Sequence, residues 1–350
     1  MFCESVENFA PIWYNKIERE NGKYGQRGNS MKKIAVLTSG GDAPGMNACI
    51  RAVVRTALYY GMEVYGVERG YMGLINGDFI PLNSRSVSDM IHKGGTFLKT
   101  ARCPEFTASE GRKKAADEMK KRGIEGLVVI GGDGSFHGGQ LLSREFGFKV
   151  VGIPGTIDND LGYTDYTLGF DTAVNTCLEV INKLRDTMNS HERISVVEVM
   201  GRHCGDIALY AGITSGAEII IVPEIAYDMD DIVMRINRSR ANGKHSNIIV
   251  VAEGAISADE FAKQLQENTT YSVRSTNIGH IQRGGSPSMA DRMLAAQFGN
   301  KAVRLLKDGI GNRVVGIHRN EIIDMDIIEA VSMKKKFNYE LYETLQMISM

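Results

Sequence analysis

The chain has 350 residues, 43% hydrophobic and 24% charged, with a formal net charge of −1. That length suits roughly two domains of about 150 residues, and the balanced charge gives no reason to expect nucleic acid or an anionic membrane as a partner. No run of 18 apolar residues occurs, so no transmembrane helix is expected. The five cysteines are scattered without a C-x-x-C pair, which reads as free thiols of a cytoplasmic protein and excludes a disulfide framework or zinc site.

Residues 1–30 are polar and aperiodic, hold the only tryptophan, Trp13, and lack the basic and apolar regions of a secretory signal. They read as a disordered or non-native N-terminal extension. Beyond them, "KIAVLTSGGDAPG" predicts a strand and a turn, and "MNACIRAVVRTALYYG" a helix with Met46, Ile50, Val53, Val54, Ala57 and Leu58 on one stripe, ended by Gly61. "EVYGVERG" predicts the next strand, and "GRKKAADEMKKRG" a charged helix stopped by Gly123. "IEGLVVIGGDGS" and "FKVVGIPGTIDND" each predict a strand running into a glycine turn, and a long helix follows from about Asp171 to Met188. "RISVVEVMGR", "AEIIIVPE" and "SNIIVVAEGA" supply three more strands. Strands alternating with helices imply parallel sheets covered on both faces, and apolar runs such as "LVVI" and "IIIV" agree.

Ligands of such sheets bind at the carboxyl ends of the strands. Those ends carry Gly40-Gly41-Asp42, Gly131 to Ser135, Thr156 to Asp160, Gly201-Arg202, Glu253 and His280 to Arg283. "TSGGDAPG" lets a backbone approach an anion at a helix start, but it matches neither G-x-x-x-x-G-K-[ST] nor G-x-G-x-x-G; alone it reads better as a tight structural turn. In "GGDGS", Asp133 is either a Mg²⁺ ligand, direct or through water, or a cap for the next helix. In "GTIDND", Asp158 can take a proton from a reacting hydroxyl while Asp160 biases its pKa; the competing reading is an Asx turn. Arg193, Arg202, Arg274 and Arg283 suit phosphate oxygens, although a single loop arginine is most often a solvated charge, and a single histidine such as His280 is most often structural.

Taken together, "MKKIAVLTSGGDAPGMNA", "VVIGGDGS", "PGTIDND", "RISVVEVMGRHCGD" and "IGHIQRGGSP" resemble the bacterial ATP-dependent 6-phosphofructokinase family, in order, from Met31 to about residue 335. The resemblance implies two Rossmann-like three-layer α/β domains with mainly parallel sheets and an active site in the cleft between them. The larger, ATP-binding domain would comprise residues 31–168 plus 281–331, and the smaller, fructose 6-phosphate-binding domain residues 169–280 plus 332–350. The implied reaction moves the γ-phosphoryl of ATP to the 1-hydroxyl of fructose 6-phosphate, with Mg²⁺. Asp158 resembles the base, supported by Asp160; Thr156 helps hold the transferring group, and Arg202 stabilises its charge. Gly40, Arg102, Cys103, Gly132, Asp133, Gly134 and Ser135 resemble the ATP site, with Asp133 the metal-associated residue. Cys103 replaces an aromatic found in some members. Thr156, Ile157, Asp158, Met200, Gly201, Arg202, Glu253, His280 and Arg283 resemble the sugar phosphate site, completed by Arg193 and Arg274 from a neighbouring subunit of a homotetramer.

The same resemblance sets Arg51, Arg55, Arg185, Glu218 and Lys244 in an effector site for ADP or phosphoenolpyruvate. Asp78 stands where strongly regulated members have arginine, which implies a weakened effector response. Pyrophosphate-dependent relatives, the alternative reading, carry Asp where Gly134 stands and Lys where Gly155 stands. Glycine at both implies room for a nucleotide, with Gly155 read as a vacancy kept clear for it.

Overall fold

In the computed structural model the described residues are 31–349; the extension read from residues 1–30 lies outside them. The order is β1 (Lys33–Thr38), α1 (Met46–Tyr59), β2 (Glu63–Val67), α2 (Tyr71–Asn76), β3 (Phe79–Leu82), α3 (Ser109–Lys121), β4 (Gly126–Gly131), α4 (Asp133–Phe146) and β5 (Lys149–Pro154). It continues with α5 (Phe170–His191), β6 (Ile194–Val199), α6 (Asp206–Ser215), β7 (Ile219–Ile221), α7 (Met229–Ala241), β8 (Asn247–Ala252), α8 (Ala258–Asn268) and β9 (Val273–Asn277). A 3₁₀ turn at Gly279–Arg283 precedes α9 (Met289–Lys307), β10 (Arg313–His318), β11 (Glu321–Asp326), α10 (Ile327–Ser332) and α11 (Tyr339–Ile348).

Two sheets result. The seven-stranded sheet runs β11-β10-β5-β4-β1-β2-β3, and the four-stranded sheet β7-β8-β6-β9. The strands expected from apolar runs all pair in parallel, with β7 at the edge of the smaller sheet; β4, β6 and β8 are buried along their whole length. Only the edge strands β3 and β11 pair antiparallel, with β2 and β10. The edge strand β9, "VRSTN", is polar and half exposed, so apolar patterning did not mark it. Side chains of the two faces of the larger sheet pack into separate apolar clusters, with Ile34 and Val36 in one and Ala35 and Leu37 in the other. Strands buried on both faces need helices on both, which explains the continuous apolar runs.

Strand order reverses between β1 and β4 in the larger sheet, and around β6 in the smaller. A crevice at such a reversal lies beyond the carboxyl ends of the strands, and the glycine turns after β1, β4 and β5 fall there. Cys49, Cys103, Cys177 and Cys204 are unpaired thiols. No helix among the described residues is long and apolar enough to cross a membrane.

Candidate active site

Backbone pairing brings three glycine turns side by side. Gly131 of β4 is the register partner of Pro154 of β5, and the Gly155 amide donates to the Gly131 carbonyl at 2.9 Å. The Ser39 amide donates to the Ile130 carbonyl at 2.9 Å, which ties the turn after β1 to the same edge. These turns line a cleft of about 1180 Å³. Of the predicted residues its wall holds Gly40, Arg102, Cys103, Gly132, Asp133, Gly134, Ser135, Thr156, Asp158, His280 and Arg283. Asp42, noted at its strand end, lines it too, as do Tyr71, Thr100 and His137, which sequence reasoning passed over.

The strand ends of the smaller sheet approach the same corner, where Glu253 and His203 act on the charge of Asp158, although Met200, Gly201, Arg202 and Glu253 do not line that cleft. The Glu253 amide donates to the Val199 carbonyl at 2.9 Å and the Gly254 amide to the Gly201 carbonyl at 3.2 Å, so the ends of β6 and β8 advance together. Gly201 has φ 128°, a left-handed conformation that favours glycine. A Cβ at Gly254 would lie 2.0 Å from the Arg202 carbonyl oxygen, so only glycine admits so close an approach between these loops. Gln282 is fully buried and its Oε1 accepts the Met200 amide at 3.1 Å, which sets the β6 end against the 3₁₀ turn. From that turn Arg283 Nη1 donates to the Asp42 carbonyl at 3.2 Å, reaching the larger-sheet wall. Arg202, Glu253 and His280 are exposed, while Met200 is buried. Ile157 is fully buried in the core, so only its main chain is offered to a ligand.

The "DND" turn is built around its asparagine. Asn159 is buried with φ 51°, a conformation tolerated best by glycine and asparagine. Its Nδ2 donates to the Asp165 carbonyl at 3.2 Å and to Asp206 Oδ2 at 2.9 Å, and its Oδ1 accepts the Thr167 amide at 3.0 Å. With Asn159 pinned inward, Asp158 and Asp160 are displayed on either side of it. The Asx-turn reading of Asp158 does not hold: its Oδ1 is buried without a hydrogen-bond partner, while its amide donates to Thr156 Oγ1 at 3.3 Å. Nor does Asp133 cap α4; the cap position is Gly132 and no side chain caps that helix.

Three carboxylates share this corner. Burial, then the charge of Asp160, pushes Asp158 up to about 6; Arg283 and His203 oppose the rise. Desolvation, then the charge of Asp160, pushes Asp133 up to about 6. Asp160 is exposed, yet desolvation raises its pKa against its own backbone hydrogen bond and the charges of Lys335 and His203. A base near neutral pKa with an unpaired oxygen suits proton abstraction from an alcohol.

Arg193 and Arg274 stand elsewhere. Arg193 precedes the first residue of β6 and Arg274 pairs beside Ser195, so both mark the amino edge of the smaller sheet, opposite its catalytic loops. The proposed effector residues form two groups. Arg185 donates to the Ser215 and Gly216 carbonyls, and Lys244 pairs with the buried Glu218. Arg51 and Arg55 lie on α1, which packs on α9 and the larger sheet.

The reading of Gly155 as a vacancy for the nucleotide is overturned. A Cβ there would lie 2.9 Å from Ile130 Cγ2 and 3.2 Å from Met46 Cε, so that glycine makes room for the core. Gly134 behaves as expected: a Cβ there meets nothing within 4 Å.

Glycine turns at two sheet reversals, a carboxylate poised near neutrality and an arginine spanning the cleft define a site for phosphate chemistry on an alcohol. The Phosphofructokinase family model matches residues 33–306. The ATP-dependent 6-phosphofructokinase of Clostridium botulinum (strain Loch Maree / Type A3) is 59% identical over 319 residues, covering 91% of this chain and all of that relative. The phosphofructokinase structure from Saccharomyces cerevisiae superposes with TM-score 0.86 at 36% identity, over 90% of this chain and 50% of that chain. A pyrophosphate-dependent phosphofructokinase structure from Marinobacter aquaeolei gives TM-score 0.79 at 21% identity, over 89% of this chain and 86% of that one, a likeness of fold alone. The chain belongs to the phosphofructokinase family.

Proposed function

We infer that the protein phosphorylates fructose 6-phosphate at its 1-hydroxyl with ATP, giving fructose 1,6-bisphosphate and ADP, the committed step of glycolysis in the cytoplasm. The observation that carries this reading is Asp158: a desolvated carboxylate with one unpaired oxygen, beside two glycine turns and across from Arg283. Asp158 accepts the proton of the sugar hydroxyl. Glycine-turn amides and Arg102 hold the nucleotide phosphates, and Arg202 stabilises charge on the transferring group. Glu253, His280, Arg283 and the main chain from Thr156 to Asp158 orient the sugar phosphate. Such catalysis is alignment and charge neutralisation, with little covalent chemistry for the protein to do.

Among the described residues no three His, Cys, Asp or Glu side chains converge as a metal cage. Mg²⁺ needs none: it is held by one or two carboxylates together with substrate phosphates. The residues fit that role, since Asp133 and Asp160 are two neighbouring carboxylates, both exposed, and Asp133 is not engaged as a helix cap. Asp133 would hold the ion, which would offset phosphate charge.

The donor is assigned to ATP because Gly134 leaves open space where an aspartate would oppose the nucleotide phosphates. We assign residues 31–168 with 281–331 to the nucleotide half and 169–280 with 332–350 to the sugar half. Arg193 and Arg274, remote from their own cleft, complete the 6-phosphate site of a neighbouring subunit, so the active assembly is a homotetramer. Arg51, Arg55, Arg185, Glu218 and Lys244 form an effector site between subunits for ADP or phosphoenolpyruvate. Asp78, paired to Arg69 at 3.8 Å and standing where strongly regulated members have arginine, weakens the response. A coupled assay of fructose 1,6-bisphosphate formation, with purified protein and ATP, tests the reading.

A further inference from the structure

A basic residue from the far C-terminal end of the chain reaches the turn that carries Asp158. Between α10 and α11 the chain crosses back as a strap, residues 333–338. Lys334 forms an antiparallel bridge with Leu161, directly after Asp160. A Cβ at Gly162 would lie 2.5 Å from the Met333 carbonyl oxygen, so the strap lies flat on the catalytic turn because that position is glycine. The next strap residue, Lys335, is largely covered; its Nζ donates to the Thr164 carbonyl at 3.4 Å and lies 3.6 Å from Asp206 Oδ2.

Asp206 is buried at the first position of α6. The same Oδ2 accepts the side-chain amide of Asn159, the residue whose left-handed backbone separates Asp158 from Asp160. The connection therefore runs from the strap to Lys335, from Lys335 to Asp206, and from Asp206 to the catalytic turn. A buried carboxylate without its counter-charge is costly and relaxes by moving or recruiting water, and Asp206 cannot move without releasing Asn159.

We propose that Lys335 is a positioning residue of the phosphoryl-transfer site, holding Asp206 and through it the Asn159 turn that aims Asp158. Lys335 touches no substrate in this account and contributes no proton. Its ammonium also opposes the raised affinity of Asp160 for a proton, which agrees with its place beside this corner. The inference rests on the phosphofructokinase reading of the site.

Four full-length proteins test it: wild type, Lys335→Met, Lys335→Arg, and Lys335→Met combined with Asp206→Asn. Steady-state kinetics with ATP and fructose 6-phosphate are measured beside thermal unfolding. Lys335→Met should lower kcat at least about tenfold, with KM for both substrates within about threefold, because alignment matters more to the transition state than to binding. Lys335→Arg should recover most of that loss. The double variant should be faster than Lys335→Met alone, since an amide at 206 still accepts from Asn159 and needs no counter-charge. Wild-type kcat in Lys335→Met would overturn the proposal. So would a loss that Lys335→Arg does not rescue, or one shared equally by kcat and 1/KM together with a fall in Tm of more than about 5 °C. Inactive wild type would instead sink the phosphofructokinase reading.

Discussion

Gly131 and Pro154 sit opposite each other at the ends of β4 and β5, and the next amide, Gly155 N–H, donates to the Gly131 carbonyl at 2.9 Å. That ladder contact aligns "GGDGS" with "GTIDND". It brings Asp133, Asp158 and Asp160 into one corner, where the charge of Asp160 helps raise the pKa of the other two.

Removing the Asp158 charge while keeping its shape isolates proton abstraction. Asp158→Asn should lower kcat by roughly 10²–10⁴-fold, the usual worth of a general base. KM for both substrates should stay within about threefold, and the variant should unfold at or above the wild-type Tm, since a desolvated charge has been removed. A kcat within about threefold of wild type would remove Asp158 from its role.

The pH dependence follows from the direction of the Asp158 shift. Its folded pKa, about 6, lies above the ordinary value of 3.8, so the folded state binds this proton more tightly than the unfolded chain. Ligand-free stability from this group is full below the ordinary carboxylate range and is lost as pH rises from about 4 through about 6. The catalytic form is the ionised one, so kcat/KM should climb through about pH 6 and level off above it. Thermal scans of wild type and Asp158→Asn between pH 4.5 and 7.5 should diverge at the upper end; parallel curves would contradict the shift.

Gly134→Asp separates donor choice from folding. The new Cβ meets open space at the second position of α4, where a negative charge is favourable by about 0.3–1 kcal/mol. Tm should hold or rise slightly while ATP-dependent kcat/KM drops by more than about 100-fold through repulsion of phosphate. Fructose 6-phosphate binding, followed by ligand-induced Tm shift, should persist. Unchanged kinetics with ATP would sink this account of donor choice.

Asn159→Ala should be among the most damaging single changes outside the apolar core. It strips three hydrogen bonds, two of them buried, leaves Asp206 without its amide donor and puts alanine at φ 51°. The expected cost is about 2–4 kcal/mol, read from urea unfolding, with loss of activity even at temperatures where the variant is folded.

The parallel interior was legible because strands buried on both faces, such as β4 and β8, must be apolar throughout. The edge strands β3, β9 and β11, and β10 beside the last of them, were not read, since half-exposed residues and polar "VRSTN" carry no such signature. The glycine turns announced most of the cleft wall, because the motifs that bind phosphate are local in sequence. What supports them is not local: Asp206 reaches Asn159 from 47 positions away, and Lys335 reaches Thr164 from 171 positions away and meets Asp206 there. Gly155 illustrates the opposite error. Beside a ligand turn, a glycine looks like space for the ligand, yet its missing side chain faces Ile130 and Met46.

The central claim is most directly tested by assaying the purified protein for fructose 1,6-bisphosphate formation from fructose 6-phosphate with Mg²⁺, once with ATP and once with pyrophosphate. Turnover with ATP, and less than about 1% of it with pyrophosphate, is the predicted result. Comparable or faster turnover with pyrophosphate, or none with either donor, would contradict it.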